Sequence, residues 1–158
     1  MGIWRRAAAH RLRSAHRALR LHIVARGRIG RGAEADLLAR YAKRMVWPLG
    51  ITELPETGGR VADISQPGKT VGLDESGTSL TSTAFAQMLD GWRDSGVREA
   101  RFLIGAADGL IANERASADM LLSFGSATWP HLLVRAMLVE QLYRATTIIA
   151  GHPYHREG

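Results

Sequence analysis

An α/β fold, with a mostly parallel sheet and helices on both faces, is the fold class that this sequence predicts. Short apolar segments rich in β-branched residues alternate with segments whose apolar residues recur at the helical period. Such alternation is typical of parallel strands joined by helical crossovers. The 158 residues, 46% of them hydrophobic, suit one core, and the chain contains no internal repeat.

The first half of the chain begins with a strand predicted at residues 21–25 (LHIVA), which runs into the glycine-rich loop RGRIGRG. Residues 33–46 follow the helical period, with apolar side chains at Leu37, Leu38, Tyr41 and Met45. Pro48 blocks continuation of this helix, and residues 50–54 (GITEL) form the predicted second strand. Residues 55–69 show neither the alternation of a strand nor the period of a helix and are predicted to be a loop.

The middle of the chain continues the alternation. Residues 70–74 (TVGLD) are predicted to form the third strand, and residues 82–96 form a helix that begins with cap-type residues and stops at a glycine. One face of that helix is apolar, through Phe85, Met88, Leu89 and Trp92. The fourth strand, at residues 100–105, runs directly into the loop GAADG.

The last third contains a short helix around residues 113–118, a fifth strand at residues 119–124 and a long helix from Pro130 to about residue 150. Proline is favoured in the first helical turn. This final helix is apolar nearly all round, so most of its sides must be covered. We therefore expect it to pack against both the sheet and a second subunit, which predicts a homodimer.

The charge of the chain is concentrated at its start. Residues 1–20 contain six arginines and no acidic residue, so residues 21–158 are formally neutral although the whole chain carries a net charge of +6. An RNA-binding arm, an amphipathic targeting peptide and a translated stretch upstream of the true start all fit this composition. We favour a dispensable extension of residues 1–20 followed by one domain at residues 21–158.

Composition also excludes several classes of site. With no cysteine, the chain has no disulfide, thiolate zinc site or cysteine nucleophile. No apolar run approaches the roughly 20 residues needed to span a bilayer, so we expect a soluble protein. GRIGRG lacks the G-x-G-x-x-G spacing and no P-loop motif occurs, which disfavours a standard dinucleotide site and a P-loop.

Three strand ends are candidates for a ligand site, because ligands of parallel sheets bind beyond the carboxyl ends of the strands. They are the ends at Leu73 and Asp74, at residues 105–109 and at residues 124–129. Their small residues would let a ligand approach backbone amides and carbonyls. Considered alone, these loops are equally compatible with simple tight turns.

Three motifs carry a resemblance to a known family: LIGAADG at residues 103–109, FGSATWPHLLVRAMLVEQLYRA at 124–145 and HPYHRE at 152–157. With LHIVARGRIG and LDESGTSLTSTAFA upstream, the chain resembles the bacterial ribosomal RNA large subunit methyltransferase H family over nearly all of residues 21–158. The resemblance implies a cytoplasmic homodimer with the knotted SPOUT fold. It also implies methyl transfer from S-adenosyl-L-methionine to N3 of a pseudouridine in 23S rRNA of the assembled ribosome.

The resemblance further implies which residues bind the methyl donor. They are the positions that match the family's knotted loops: Leu73, Gly105, Phe124, Gly125, Ser126, Ala127, Thr128 and Trp129. Two departures stand out. Ala106 occupies the place of a second glycine that is usual in the family, and residues 55–69 are short where relatives can hold another helix.

The end of the chain supplies the candidate catalytic and RNA-binding residues. Positioning should dominate this reaction, because the imino proton of the base is acidic enough to need no strong base. His155 is a candidate base, although a purely hydrogen-bonding role is equally compatible with the sequence. Tyr154 could stack on the flipped base and Arg156 could hold phosphate. His152 and His155 are a poor metal pair, since no third ligand lies near them in sequence.

The final helix contributes further candidates. His131 and Arg135 lie four residues apart on one face and are assigned to RNA binding, while Glu140 and Arg144 form a similar pair. The Glu140–Arg144 pair is equally explained as a surface salt bridge. If a second subunit covers this helix, Arg144 and the tail lie at a shared catalytic site, with the tail folded against the donor-binding loops.

Three other functions remain open from the residues alone. A knotted methyltransferase that acts on transfer RNA would have the same sequence features. A non-catalytic ribosome-binding protein would use the basic leader without the donor loops. A flavodoxin-like or Rossmann-like small-ligand enzyme would explain the α/β pattern but not the terminal Tyr154, His155 and Arg156.

Overall fold

The computed structural model describes residues 18–157, and its strands and helices follow the predicted order. The strands are β1 (Arg20–Arg26), β2 (Leu49–Leu54), β3 (Gly68–Ser79), β4 (Glu99–Ile104) and β5 (Met120–Ser123). The helices are α1 (Ala33–Ala42), α2 (Ser82–Asp94), α3 (Ala112–Ser117), α4 (His131–Ala150) and α5 (Tyr154–Glu157).

The strands form one sheet in the order β2-β1-β4-β3-β5, and every pair is parallel. This arrangement confirms the α/β prediction. Because all strands run in one direction, their carboxyl ends lie at the same edge of the sheet. β4, β3 and β5 are adjacent, so the three loops that the sequence singled out meet there.

Both faces of the sheet are covered, but unequally. Alternate residues of β1 point to opposite faces, and Leu21 and Ile23 join the larger core, formed with α1, α2 and α4. Val24 belongs to a smaller apolar cluster on the other face, under α3 and the loop after β2. The loop at residues 55–67, which contains no helix, contributes Val61 to this cluster.

Several boundaries differ from the predicted ones. Leu19 is fully buried and Arg20 begins β1, so the folded domain starts before residue 21, while residues 1–17 lie outside the described part of the chain. β3 continues to Ser79 because its last residues pair again with β5 after an irregularity. The terminal helix α5 was not predicted.

α4 is the longest helix of the described part and is bounded by two specific residues. Pro130 precedes its first residue, and Gly151 ends it with a left-handed φ of 73°. Glycine is favoured at such a position because it has no Cβ. No helix within residues 18–157, α4 included, is long and apolar enough to cross a membrane.

Candidate functional site

A cavity of about 310 Å³ lies at the carboxyl edge of the sheet, between the ends of β3, β4 and β5. β4 is buried along its whole length, so the loop that follows it leaves the core at a fixed point. Ser126 is exposed and does not line the cavity. The other expected donor-binding residues do line it: Leu73, Gly105, Phe124, Gly125, Ala127, Thr128 and Trp129.

The loop after β4 is a tight turn that leaves no room for a side chain at Gly105. The amide of Gly109 donates to the carbonyl of Ala106 at 2.8 Å, which folds the loop back on itself. A Cβ placed on Gly105 would lie 2.2 Å from the carbonyl carbon and oxygen of Gly109. Glycine is therefore required here by the loop's own backbone, whatever ligand the cavity accepts.

A second loop is formed within β3 by residues 74–77, which we call the β3 bulge. Leu73 and Thr78 both pair with Leu122, so the residues between them are excluded from the ladder. Gly77 brings the strand back into contact with β5, since a Cβ there would lie 2.6 Å from the backbone of Leu121. Asp74, Glu75 and Ser76 consequently project into the cavity wall.

Asp74 anchors the bulge to α3. Its side chain is only 8% exposed and pairs with the guanidinium of Arg115, while its Oδ1 accepts from the amide of Ser76 at 2.9 Å. Burial alone would raise the pKa of Asp74, but the hydrogen bonds from Ser76 and the charge of Arg115 hold it below its ordinary value. Asp74 is therefore ionised at neutral pH.

The loop after β5 contacts the bulge through polar side chains. The Thr128 hydroxyl donates to Glu75 Oε2 at 2.8 Å. The buried Ser123 hydroxyl lies 3.1 Å from the Glu75 carbonyl oxygen and accepts from the amide of Gly125 at 3.0 Å. Sequence reasoning assigned no role to Glu75, Arg115 or Ser123, although the position of Glu75 after a strand end was a usable signal.

His131 and Arg135 share a face of α4, as the spacing predicts, but they have different surroundings. His131 lines the cavity. Arg135 is only 1% exposed; its guanidinium pairs with Glu53 at 2.5 Å and donates to the carbonyl of Gly27 at 3.0 Å. This burial corrects the assignment of Arg135 to RNA binding, because its side chain is inaccessible and its Nη1 and Nη2 groups already donate within the protein.

Glu53 is the acidic partner of this buried pair. Partial burial tends to raise the pKa of Glu53, but a hydrogen bond from the amide of Ile29 and the nearby Arg135 lower it overall. The three residues join the loop after β1 to β2 and α4. Arg135 therefore stabilises the fold next to the cavity.

The tail packs on the outer face of α4. The rings of Tyr154 and Tyr143 lie 4.8 Å apart between centroids, and the Arg144 guanidinium lies 4.9 Å from the Tyr154 ring. Tyr154 donates to Glu140 at 3.1 Å, and Arg144 pairs with the same carboxylate at 2.7 Å. Within residues 18–157, no residue after Val134 lines the cavity, so the expected contact of the tail with the donor-binding loops at a site shared between subunits stays a prediction.

The protonation states of the tail follow from these contacts. Burial, a hydrogen bond with Tyr41 and the Glu140 carboxylate raise the pKa of Tyr154 well above its ordinary value, so its hydroxyl stays protonated. Arg144 Nη1 lies 3.2 Å from His155 Nδ1. Because a guanidinium only donates, Nδ1 must accept, which places the proton of a neutral His155 on Nε2. Arg156 is exposed.

A second cavity, of about 630 Å³, separates the tail from the first one. It lies between α1, the start of α2, the end of β5 and α4. Tyr41, Phe85 and Met137 make it largely apolar, and its wall includes both Gly125 of the loop after β5 and Glu140 beneath the tail. Within residues 18–157, no group of three or more His, Asp or Glu side chains could hold a metal ion.

Comparisons with known proteins agree with this architecture. A family model described as "Predicted SPOUT methyltransferase" matches residues 19–155. A protein of Erythrobacter litoralis named ribosomal RNA large subunit methyltransferase H is 64% identical over 138 residues, covering 87% of this chain and 99% of that protein. A protein of the same name from Zymomonas mobilis is 55% identical over 142 residues, covering 89% of this chain and 100% of its own length.

One solved structure supports the fold alone. A probable methylase family protein from Haemophilus influenzae has a TM-score of 0.56 at 12% sequence identity, over 85% of this chain and 69% of that one.

Proposed function

Because the chain belongs to the ribosomal RNA large subunit methyltransferase H family of SPOUT methyltransferases, we propose that it transfers a methyl group from S-adenosylmethionine to N3 of a pseudouridine in 23S rRNA. The observation that carries this proposal is the cavity formed by the three strand-end loops. The family also suggests the assembled ribosome as substrate, which would place the protein in the cytoplasm.

The cavity fits a methyl donor of this kind. Its wall combines the backbone of Gly105 and Gly125, which have no side chains, with the apolar side chains of Leu73 and Phe124. Gly125 has a φ of 113°, so the chain turns there without a side chain in the way. S-adenosylmethionine would supply an electrophilic methyl group, and these residues would hold the donor and exclude water from it.

The tail would orient the base. Tyr154 remains a neutral phenol beside the Arg144 cation and is suited to stacking and hydrogen bonding rather than to removing a proton. His155, accepting at Nδ1, presents an Nε2 proton that can be donated to a carbonyl of the base. This geometry favours His155 as a hydrogen-bond donor over His155 as the base, and the acidic imino proton can pass to water.

A second copy of the chain would bring the tail to the donor. No tail residue lines the donor cavity of its own chain. The apolar groove between α1, α2 and α4 is large enough to receive side chains of another protomer. We therefore propose a homodimer in which the donor cavity of one protomer faces the tail of its partner.

Mixing two inactive variants tests the shared site. Gly125→Val is expected to block the donor loop, and truncation after His152 removes the tail. If the site is shared, refolding both together should restore about a quarter of the activity, because half of the dimers are mixed and each has one intact site. Thermal melting of each variant is the control for folding. No recovery in verified mixed dimers would contradict the shared site.

The substrate is tested by supplying wild-type protein and labelled S-adenosylmethionine with ribosomes, isolated 23S rRNA and transfer RNA in parallel. Nucleoside mass spectrometry should find N3-methylpseudouridine in 23S rRNA from ribosomes. Methyl transfer only to transfer RNA would instead support a transfer RNA methyltransferase. If the protein binds S-adenosylmethionine but methylates none of these RNAs, the proposed activity on 23S rRNA is refuted.

A further inference from the structure

The β3 bulge and the loop after β5 meet at the mouth of the donor cavity through a contact that includes Glu75, a residue to which the proposed reaction assigns no role. Thr128 Oγ1 donates to Glu75 Oε2 at 2.8 Å, and both residues line the cavity. Both are also exposed, so their bond contributes little to the core. We call this contact the Glu75–Thr128 latch.

The bulge side of the latch is firmly held. Asp74, next to Glu75, is almost fully buried and is paired with Arg115 of α3. On the other side, Gly77 returns to β5 with its backbone packed against that of Leu121. The Glu75 backbone carbonyl also lies 3.1 Å from the buried Ser123 hydroxyl. Glu75 therefore projects from a segment that is fixed at both ends.

The loop side has few other attachments. Residues 126–129 are all exposed. Among the hydrogen bonds of residues 18–157, only the latch joins residues 126–129 to another segment, since Trp129 Nε1 bonds within the loop, to the Phe124 carbonyl at 3.4 Å. The shape of this cavity wall therefore depends on one contact to the rigid bulge.

We infer that Glu75 is a positioning residue, whose carboxylate holds the Thr128 hydroxyl and so keeps the loop after β5 in the shape that binds the methyl donor. The inference rests on the proposed function. Ordering the loop before the donor arrives removes part of the entropy cost of binding, so the latch should strengthen donor affinity. The step of methyl transfer should be affected little once the donor is bound.

A double-mutant cycle on the full-length protein tests the latch. Glu75→Ala and Thr128→Val each remove one side of the bond, and Glu75→Gln, which keeps an oxygen that can accept from Thr128, is the matched control. Titration calorimetry should show S-adenosylmethionine binding weakened about fivefold to tenfold by either single change, which is the range for one ordinary solvent-exposed hydrogen bond. The double variant should bind no more weakly than either single variant.

Three further readouts distinguish a latch from direct donor contact or general destabilisation. S-adenosylhomocysteine, which lacks the sulfonium charge, should lose affinity by the same factor as S-adenosylmethionine. KM for the donor should rise while kcat stays near the wild-type value. The melting temperature should change by no more than about 2 °C, since both side chains are exposed.

Several outcomes would overturn the latch. Additive losses in the double variant would mean that the two residues act separately, and a loss confined to Thr128→Val would mean that the hydroxyl contacts the donor directly. A loss for S-adenosylmethionine alone in Glu75→Ala would point to the carboxylate charge acting on the sulfonium. If the wild-type protein binds neither ligand, the proposed function fails and the inference with it; wild-type binding with any other pattern removes only the inference.

Discussion

Gly105→Ala should damage the proposed donor site through the backbone of the loop after β4. The new Cβ would lie 2.2 Å from the carbonyl carbon and oxygen of Gly109 and 2.5 Å from the amide nitrogen of Leu110. Moving Gly109 out to an ordinary contact of 3.4 Å requires a shift of about 1.2 Å, which would break its 2.8 Å hydrogen bond to Ala106.

The magnitude follows from those two effects. Overpacking costs about 1 to 3 kcal/mol and the lost hydrogen bond about 1 kcal/mol, so we expect a loss of roughly 2 to 4 kcal/mol in the free energy of unfolding. For a chain of this size that corresponds to a fall of about 4 to 16 °C in melting temperature. Affinity for S-adenosylmethionine should fall at least about tenfold, because Gly105 and its neighbours form the cavity wall.

Differential scanning fluorimetry and titration calorimetry check both parts. Gly91→Ala is the matched control, because Gly91 lies within α2, a Cβ there meets nothing within 4 Å, and alanine should stabilise the helix by about 0.4 to 1 kcal/mol. A Gly105→Ala protein with the melting temperature and the donor affinity of the wild type would refute the reasoning, since the loop would then accommodate a Cβ at this position.

Three further changes probe other parts of the molecule. Glu53→Gln should lower the free energy of unfolding by about 1 to 3 kcal/mol, measured by urea denaturation, because the buried Arg135 guanidinium loses its charged partner; an unchanged midpoint would contradict this. Truncation after His152 should reduce single-turnover methylation of ribosomes about a hundredfold or more while the protein stays folded, because several positioning groups are lost together. His155→Ala should have a smaller effect than truncation, and normal methylation by the truncated protein would show that the tail only packs. The pKa of Asp74 is lowered in the folded state, so its contribution to stability is full above its ordinary pKa of 3.8 and is lost as the pH falls below that value. The melting temperature of Asp74→Asn should therefore fall less on acidification than that of the wild type. An equally large fall in the variant would contradict the assignment.

The repeating patterns of the sequence were sufficient for the fold class and for most of the element order. Short apolar runs and the favoured place of proline in a first helical turn are local properties, so the strands around Ile23 and Phe102 and the helix through Leu138 could be predicted without knowledge of their partners. The sequence also predicted that three loops meet, because parallel strands place their carboxyl ends at one edge of the sheet. These are the loops at Leu73, at Gly105 and at residues 124–129.

Contacts between distant residues were decided only by the tertiary structure. Arg135 reads as an RNA-binding residue on its helix, yet Glu53, far away in sequence, pairs with it inside the protein. The β3 bulge depends on how closely β5 approaches Gly77. Likewise, Tyr154 packs on Tyr143 and Arg144 and does not line the cavity of its own chain. The energy of an ion pair, a close backbone contact or an aromatic stack depends on distances in space, and local sequence patterns contain no information about those distances.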